Sequence, residues 1–311
     1  MLRMAALATA ALALPAALGG CRSEDADATG ESDDPAVAVP GTEDQERLVA
    51  WTTALRSEGL AGREGPIGRS GARVGELAVG TPYEAYTLEA YIRAGGSPSR
   101  TEPLTLSLTR FDCVSLVEAC LAVARLADQG TPPSWDGFGR EMERMRYRGG
   151  TRGDYASRLH YFSEWISDGA RRGLMRDLGA ELGGAEDRRP LRFMTENRGS
   201  YPALADDGVF RQIGEMERSL DGQPRWVIPT RRITDVSDRI ESGDVLAFAT
   251  AIPGLDVSHA AFAYRGGDGV LRVLHAPLSG GVVEVTRSTL PEYVAAIRRS
   301  TGILVARPLR G

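Results

Sequence analysis

The stretch Arg110-Phe111-Asp112-Cys113-Val114-Ser115-Leu116-Val117-Glu118 joins a nucleophile to an element that would activate it. Asp112 is a good helix N-cap, because its carboxylate accepts the unpaired N–H groups of a first turn. Cys113 follows in that turn, where free amides and the helix dipole favour the thiolate. A thiolate attacks carbonyl carbon, and the same amides can hold the oxyanion of an acyl intermediate. Taken alone, a Cys near a helix start is more often a small packing residue. The rest of the chain has to supply its partners.

The chain has only three histidines. Two of them, His259 and His275, flank Arg265-Gly266-Gly267-Asp268-Gly269, which reads as a hairpin turn. A turn of three or five residues centred on Gly267 sets 259 opposite 275, with Cβ atoms about 5 Å apart on one face. A slip by one residue would send them to opposite faces. Thiol chemistry needs a base that takes the thiol proton and later protonates a leaving amine. It also needs a group that fixes the base's tautomer. Cys113, His259 and His275 fill these roles, with the thiol–imidazole pair resting partly as thiolate–imidazolium. The reaction is acyl transfer: attack on an amide carbonyl, departure of the amine, then water. One Cys and two His could also bind zinc with an open fourth position. No fourth ligand or acidic base is evident, so neither a metal nor a cofactor is expected.

The elements that must position these groups follow from the pattern. The Cys113 helix runs to about Ala127 with an apolar surface so broad that it must be buried on most sides. Cys120 lies about 10 Å further along its axis, too far for a disulfide with Cys113, and reads as core. Before it come a helix over 48–60, a Gly-rich stretch, a turn at Gly80-Thr81-Pro82-Tyr83 and a short strand over 104–108. After it come helices over 138–146, 155–166 and 209–220, with His160 beside the apolar stripe of the second. A strand within 171–184 and another at 226–229 are expected. From Gly243 the period changes to that of strands, at 244–250, 257–264, 270–276, 282–285 and 303–307, with a helix over 290–298. The fold class is α+β, with the Cys helix packed on an antiparallel sheet.

The N-terminus reads differently. Arg3 and the apolar run Ala5–Leu18 make residues 1–20 a secretory signal, too short for a comfortable transmembrane helix. Leu18-Gly19-Gly20-Cys21 resembles the lipobox of bacterial lipoproteins, which makes Cys21 a lipidation site. Residues 21–46 are acidic, with Pro and Gly interspersed, and read as a disordered tether ahead of a domain over 47–311. A net charge of −5 argues against a nucleic-acid partner. These features place the chain in the cell envelope, facing the periplasm and bound to membrane through its lipid. Arg22 stands where an Asp would signal inner-membrane retention, which points to the outer membrane.

Phe111-Asp112-Cys113-Val114-Ser115, with Ser258-His259 and His275-Ala276 on successive strands and Gly80-Thr81-Pro82-Tyr83 upstream, resembles the NlpC-type papain-like cell-wall hydrolases. Arg158-Leu159-His160-Tyr161-Phe162, Phe193-Met194 and Gly254-Leu255-Asp256-Val257-Ser258-His259 resemble their N-acetylmuramoyl-L-alanine amidase-like branch. The resemblance spans about Gly80 to Arg307 and departs from the usual pattern at Leu116, where an aromatic is common. It implies a papain-like domain that cleaves the amide between the lactyl group of N-acetylmuramic acid and L-alanine. The expected partners are muropeptides, anhydro forms included. Cys113 carries over as nucleophile, His259 as base and His275 as orienting residue. Tyr83, Asp112 and His160 are expected at the substrate. Two rivals remain: an endopeptidase cutting between D-glutamate and the diamino acid of the stem, and a non-catalytic muropeptide-binding lipoprotein.

Overall fold

The computed structural model describes residues 40–62, 67–277 and 281–310. The expected signal, the Cys21 lipidation site and most of the tether lie outside them. The first helix begins at Thr42, inside the span 21–46 read as tether. Glu43 and Asp44 occupy its first turn, where carboxylates complement the helix dipole, so their charge supports a helix there.

One eight-stranded sheet organises the domain. Its strands are β1 (Met175–Asp177), β2 (Ala185–Asp187), β3 (Arg225–Pro229), β4 (Val245–Thr250), β5 (Val257–Arg265), β6 (Leu271–His275), β7 (Glu284–Val285) and β8 (Ser300–Pro308). They run β2-β3-β8-β4-β5-β6-β7, with β1 also on β8, and every pairing is antiparallel. Both faces are covered. Val245, Ala247 and Ala249 of β4 enter a core with the cysteine helix Cys113–Asp128. Leu246 and Phe248 enter a second core with Ile233, Leu290 and Val294. Two-sided burial is why β4 reads as a continuous apolar run.

The cysteine helix packs across β5 and against the helices Thr42–Ser57, Ile67–Leu77 and Trp135–Arg146. It is buried from Leu116 to Ala127, as its broad apolar surface requires. Cys120 is fully buried and free.

Two expected elements take another form. Residues 104–108 alternate in burial as a strand would, with Leu104, Leu106 and Leu108 inward, but they join no ladder. The helix expected over 155–166 breaks into a turn at Tyr155–Ser157 and a helix at Phe162–Arg171. His160 falls in the gap. Its ring is bound to the Tyr155 carbonyl at 2.8 Å, an oxygen that a continuous helix would have kept for itself.

Candidate active site

The cysteine helix starts where the sequence placed it. Asp112 is its N-cap and accepts the Ser115 N–H at 2.7 Å, while Ser115 Oγ accepts the Asp112 N–H at 2.9 Å. This reciprocal box satisfies one amide of the first turn. The N–H groups of Cys113 and Val114 remain directed at the Cys113 sulfur, joined by that of Ala260 on β5. The helix start is stitched in place by Tyr83, which bridges Phe111, and by the Tyr83 N–H donated to the Gly281 carbonyl at 2.8 Å.

Cys113, His259, Tyr83, Asp112 and His160 line one cavity of about 200 Å³. His275 is buried behind His259, and the two rings meet at 2.8 Å between His259 Nε2 and His275 Nδ1. The route to that contact differs from the expected one. The hairpin loop is centred on Asp268, so the ladder pairs Phe262 with Leu274 and Ala263 with Val273. That register sets 275 across from 261, and His259 is its diagonal neighbour. The displacement is two residues along the strand, which keeps both side chains on one face. Beside β4 the chain also bulges, because Ala247 pairs with Ala260 but Ala249 pairs with Val257. Ser258 and His259 therefore share Phe248 as their opposite residue. Bulges re-aim side chains in this way, and the His259 ring lies stacked on Phe248, centroids 5.6 Å apart.

Burial decides the resting charges. It pushes the Cys113 thiol up to about 12, helped by the Asp112 charge and opposed by the Ala260, Cys113 and Val114 amides. Burial likewise lowers His259 to about 3, with a contribution from His275, and His275 to about 4. The expected thiolate–imidazolium pair is therefore replaced, in the substrate-free site, by a neutral thiol and neutral imidazoles. The helix-start amides do favour the thiolate, but desolvation in the pocket outweighs them. Burial, with the Arg158 charge, also holds His160 well below its ordinary value.

Three further features escaped sequence reasoning. Tyr293, on the helix Leu290–Ala296, places its hydroxyl 3.3 Å from His275 Nδ1. Glu284 on β7 pairs directly with His275, with Oε1 3.7 Å from Nε2. Beneath the cavity, Arg158 is bound to Glu89 and lies 3.3 Å from Glu102, and Arg146 meets Glu118 at 2.8 Å. Buried ion pairs of this kind carry no sequence period. Only the neighbourhood of Arg158 to a motif, and of Glu284 to a hairpin, offered a signal.

Among the described residues no cluster of His, Cys, Asp and Glu side chains could hold a metal ion. The two imidazoles point their nitrogens at each other within hydrogen-bond distance. Two nitrogens on one zinc, each about 2.0–2.1 Å from the metal in tetrahedral geometry, stand further apart than that.

Residues 73–303 match the family model described as AmiA-like, N-acetylmuramoyl-L-alanine amidase-like. An N-acetylmuramoyl-L-alanine amidase from Bacteroides uniformis is 29% identical, with 78% of this chain and 99% of that one covered, at a TM-score of 0.70. A proposed xylanase from Bacteroides fragilis is 33% identical over 75% of this chain and 98% of that one, at 0.67. A protein from Legionella pneumophila, 18% identical over 86% of this chain and 95% of that one, shares the fold at 0.60. A comparison with curated proteins finds no match. With most of its sheet, its helix-start cysteine and both strand histidines inside the matched span, the chain belongs to the N-acetylmuramoyl-L-alanine amidase-like family.

Proposed function

We propose that this amidase-like protein is a cysteine hydrolase of peptidoglycan fragments, cleaving the amide between N-acetylmuramic acid and L-alanine through Cys113, His259 and His275. The observation that carries the reading is the 2.8 Å contact between His259 Nε2 and His275 Nδ1, behind a cavity that His259 shares with a helix-start thiol. His259 uses Nε2 for His275, which leaves Nδ1 to act as base. Its neutral ring takes the thiol proton as sulfur attacks the lactyl carbonyl, and the imidazolium then returns that proton to the departing L-alanine nitrogen. The Cys113 and Val114 N–H groups are the donors available to the oxyanion. Water then cleaves the thioester, with His259 again as base. A helix-borne nucleophile and a strand-borne base would suit a papain-like domain.

The cavity suits a neutral group. Tyr155, Phe162, Phe193 and Leu255 supply its apolar walls. The two guanidinium groups facing it, Arg146 and Arg158, are already matched by Glu118, Glu89 and Glu102. Glycoside hydrolysis fits poorly. It needs two available carboxyl groups, whereas Asp112 caps a helix, Asp256 accepts the Ser163 and Val257 N–H groups, and Glu89 and Glu118 are held by arginines. We further propose that Cys21 carries a lipid that tethers the domain to a membrane in the envelope.

The test is mass spectrometry of purified muropeptides, with and without an anhydro end, after incubation with the full-length protein and with Cys113→Ala. The expected products are free stem peptide and peptide-free sugar, formed only with Cys113 present. A cut inside the stem, or turnover by Cys113→Ala, would overturn the proposal.

A further inference from the structure

Whether His259 can act as a base depends on which nitrogen of His275 carries the proton. His259 bonds His275 through Nε2, so its base nitrogen is Nδ1. For Nδ1 to hold a lone pair, Nε2 must carry the proton and donate it to His275 Nδ1. His275 must then carry its own proton on Nε2. With the opposite tautomer, His275 donates from Nδ1, either to His259 Nε2 or to the Tyr293 oxygen at 3.3 Å. The first of these puts the His259 proton on Nδ1, facing the thiol, and abolishes the base. The His275 tautomer is thus a choice between a working and a non-working site.

The working tautomer places an N–H at His275 Nε2, a buried atom with no hydrogen-bond partner among the described residues. A buried donor left unpaired is costly. One acceptor stands next to it: Glu284 Oε1, at 3.7 Å. The pairing is built into the sheet, since β6 and β7 set His275 directly opposite Glu284. The Glu284 side chain is 48% exposed, so it can turn the remaining fraction of an ångström into hydrogen-bond range. Burial, with Cys113 and then Glu284, pushes the nearby Tyr293 hydroxyl up to about 12.

We propose that Glu284 is a positioning residue that accepts the His275 Nε2–H and so holds His259 in the tautomer that can take the thiol proton. This role rests on the cysteine-hydrolase reading above. Glu284 touches no reacting atom. It acts through His275.

The test compares full-length wild type with Glu284→Ala, Glu284→Gln and Glu284→Lys. The readouts are kcat and KM on the muropeptide, and the rate of Cys113 alkylation by iodoacetamide at about pH 8, assigned to Cys113 by peptide mass. Glu284→Ala is expected to lower kcat about tenfold with KM unmoved, as loss of a tautomer-fixing partner does, and to slow the alkylation. Glu284→Gln keeps an acceptor and recovers most of kcat. Glu284→Lys lacks one and is at least as slow as Ala, so the test stands if Ala fails to fold. Wild-type kcat and alkylation rate in Glu284→Ala, or a Gln variant as slow as Ala, would overturn the proposal while leaving the cysteine reading intact. Turnover by Cys113→Ala would overturn both.

Discussion

Mild acid should destabilise this protein through its histidines, and the size of the effect follows from where they sit. All three are held neutral in the fold: His259 at about 3, His275 at about 4 and His160 well below 6.5. In the unfolded chain each titrates near 6.5, so between these values the unfolded state binds more protons. Stability is then complete above that pH and is lost as pH falls through 6.5. Integrating from pH 6.5 to about 5.5 gives about 1 kcal/mol for each histidine. Burial opposes this at Glu102, whose carboxyl it raises to about 7. The native state binds a proton there first, so acidification over the same interval returns about 1 kcal/mol. The net loss is about 2 kcal/mol, trimmed further by Glu118 and Asp256, whose carboxyls burial also raises. Urea unfolding followed by fluorescence of the buried Trp51 and Trp165, repeated at several pH values, measures the slope. In His160→Gln the loss should shrink by about 1 kcal/mol. A His160→Gln slope equal to wild type would refute the reasoning, because it would mean that His160 is as free to protonate folded as unfolded.

Other perturbations separate the effects that share the site. Asp112→Asn keeps the helix cap but removes the charge that helps to raise the Cys113 thiol. Its alkylation profile should move to lower pH with little change in stability, whereas Asp112→Ala should cost about 1 kcal/mol in urea unfolding. Arg158→Met leaves Glu89 and Glu102 buried without their cation and should cost about 3–5 kcal/mol by the same measurement. Gly243→Ala should lower stability by at least about 2 kcal/mol: φ at Gly243 is +90°, and a Cβ there would overlap the Gly68 carbonyl, so a melting point equal to wild type would contradict that packing.

Much of this architecture was legible because it is local. The N-cap at Asp112, the buried face of the cysteine helix and the strands from Gly243 onward each follow from a period or a capping rule within a dozen residues. The pairing of His259 with His275 was also within reach, since a hairpin couples residues close in sequence. Its register was not, because loop centre and bulge are set by how β5 packs on β4 as well as on β6. The break before His160 was hidden for a similar reason. Residues 155–166 have a helical period, but Tyr155 and Arg158 are drawn to Glu89 some seventy residues earlier.

The sequence by itself singled out the residues proposed to carry the chemistry. A thiol behind a capping aspartate and two histidines astride a turn are properties of residue type and spacing. Tertiary structure alone decided their state. Burial in the cavity reversed the thiolate preference of the helix start, since removing a charge from water outweighs a few oriented amides. It also brought Tyr293 and Glu284, from two separate elements, to opposite nitrogens of one buried imidazole.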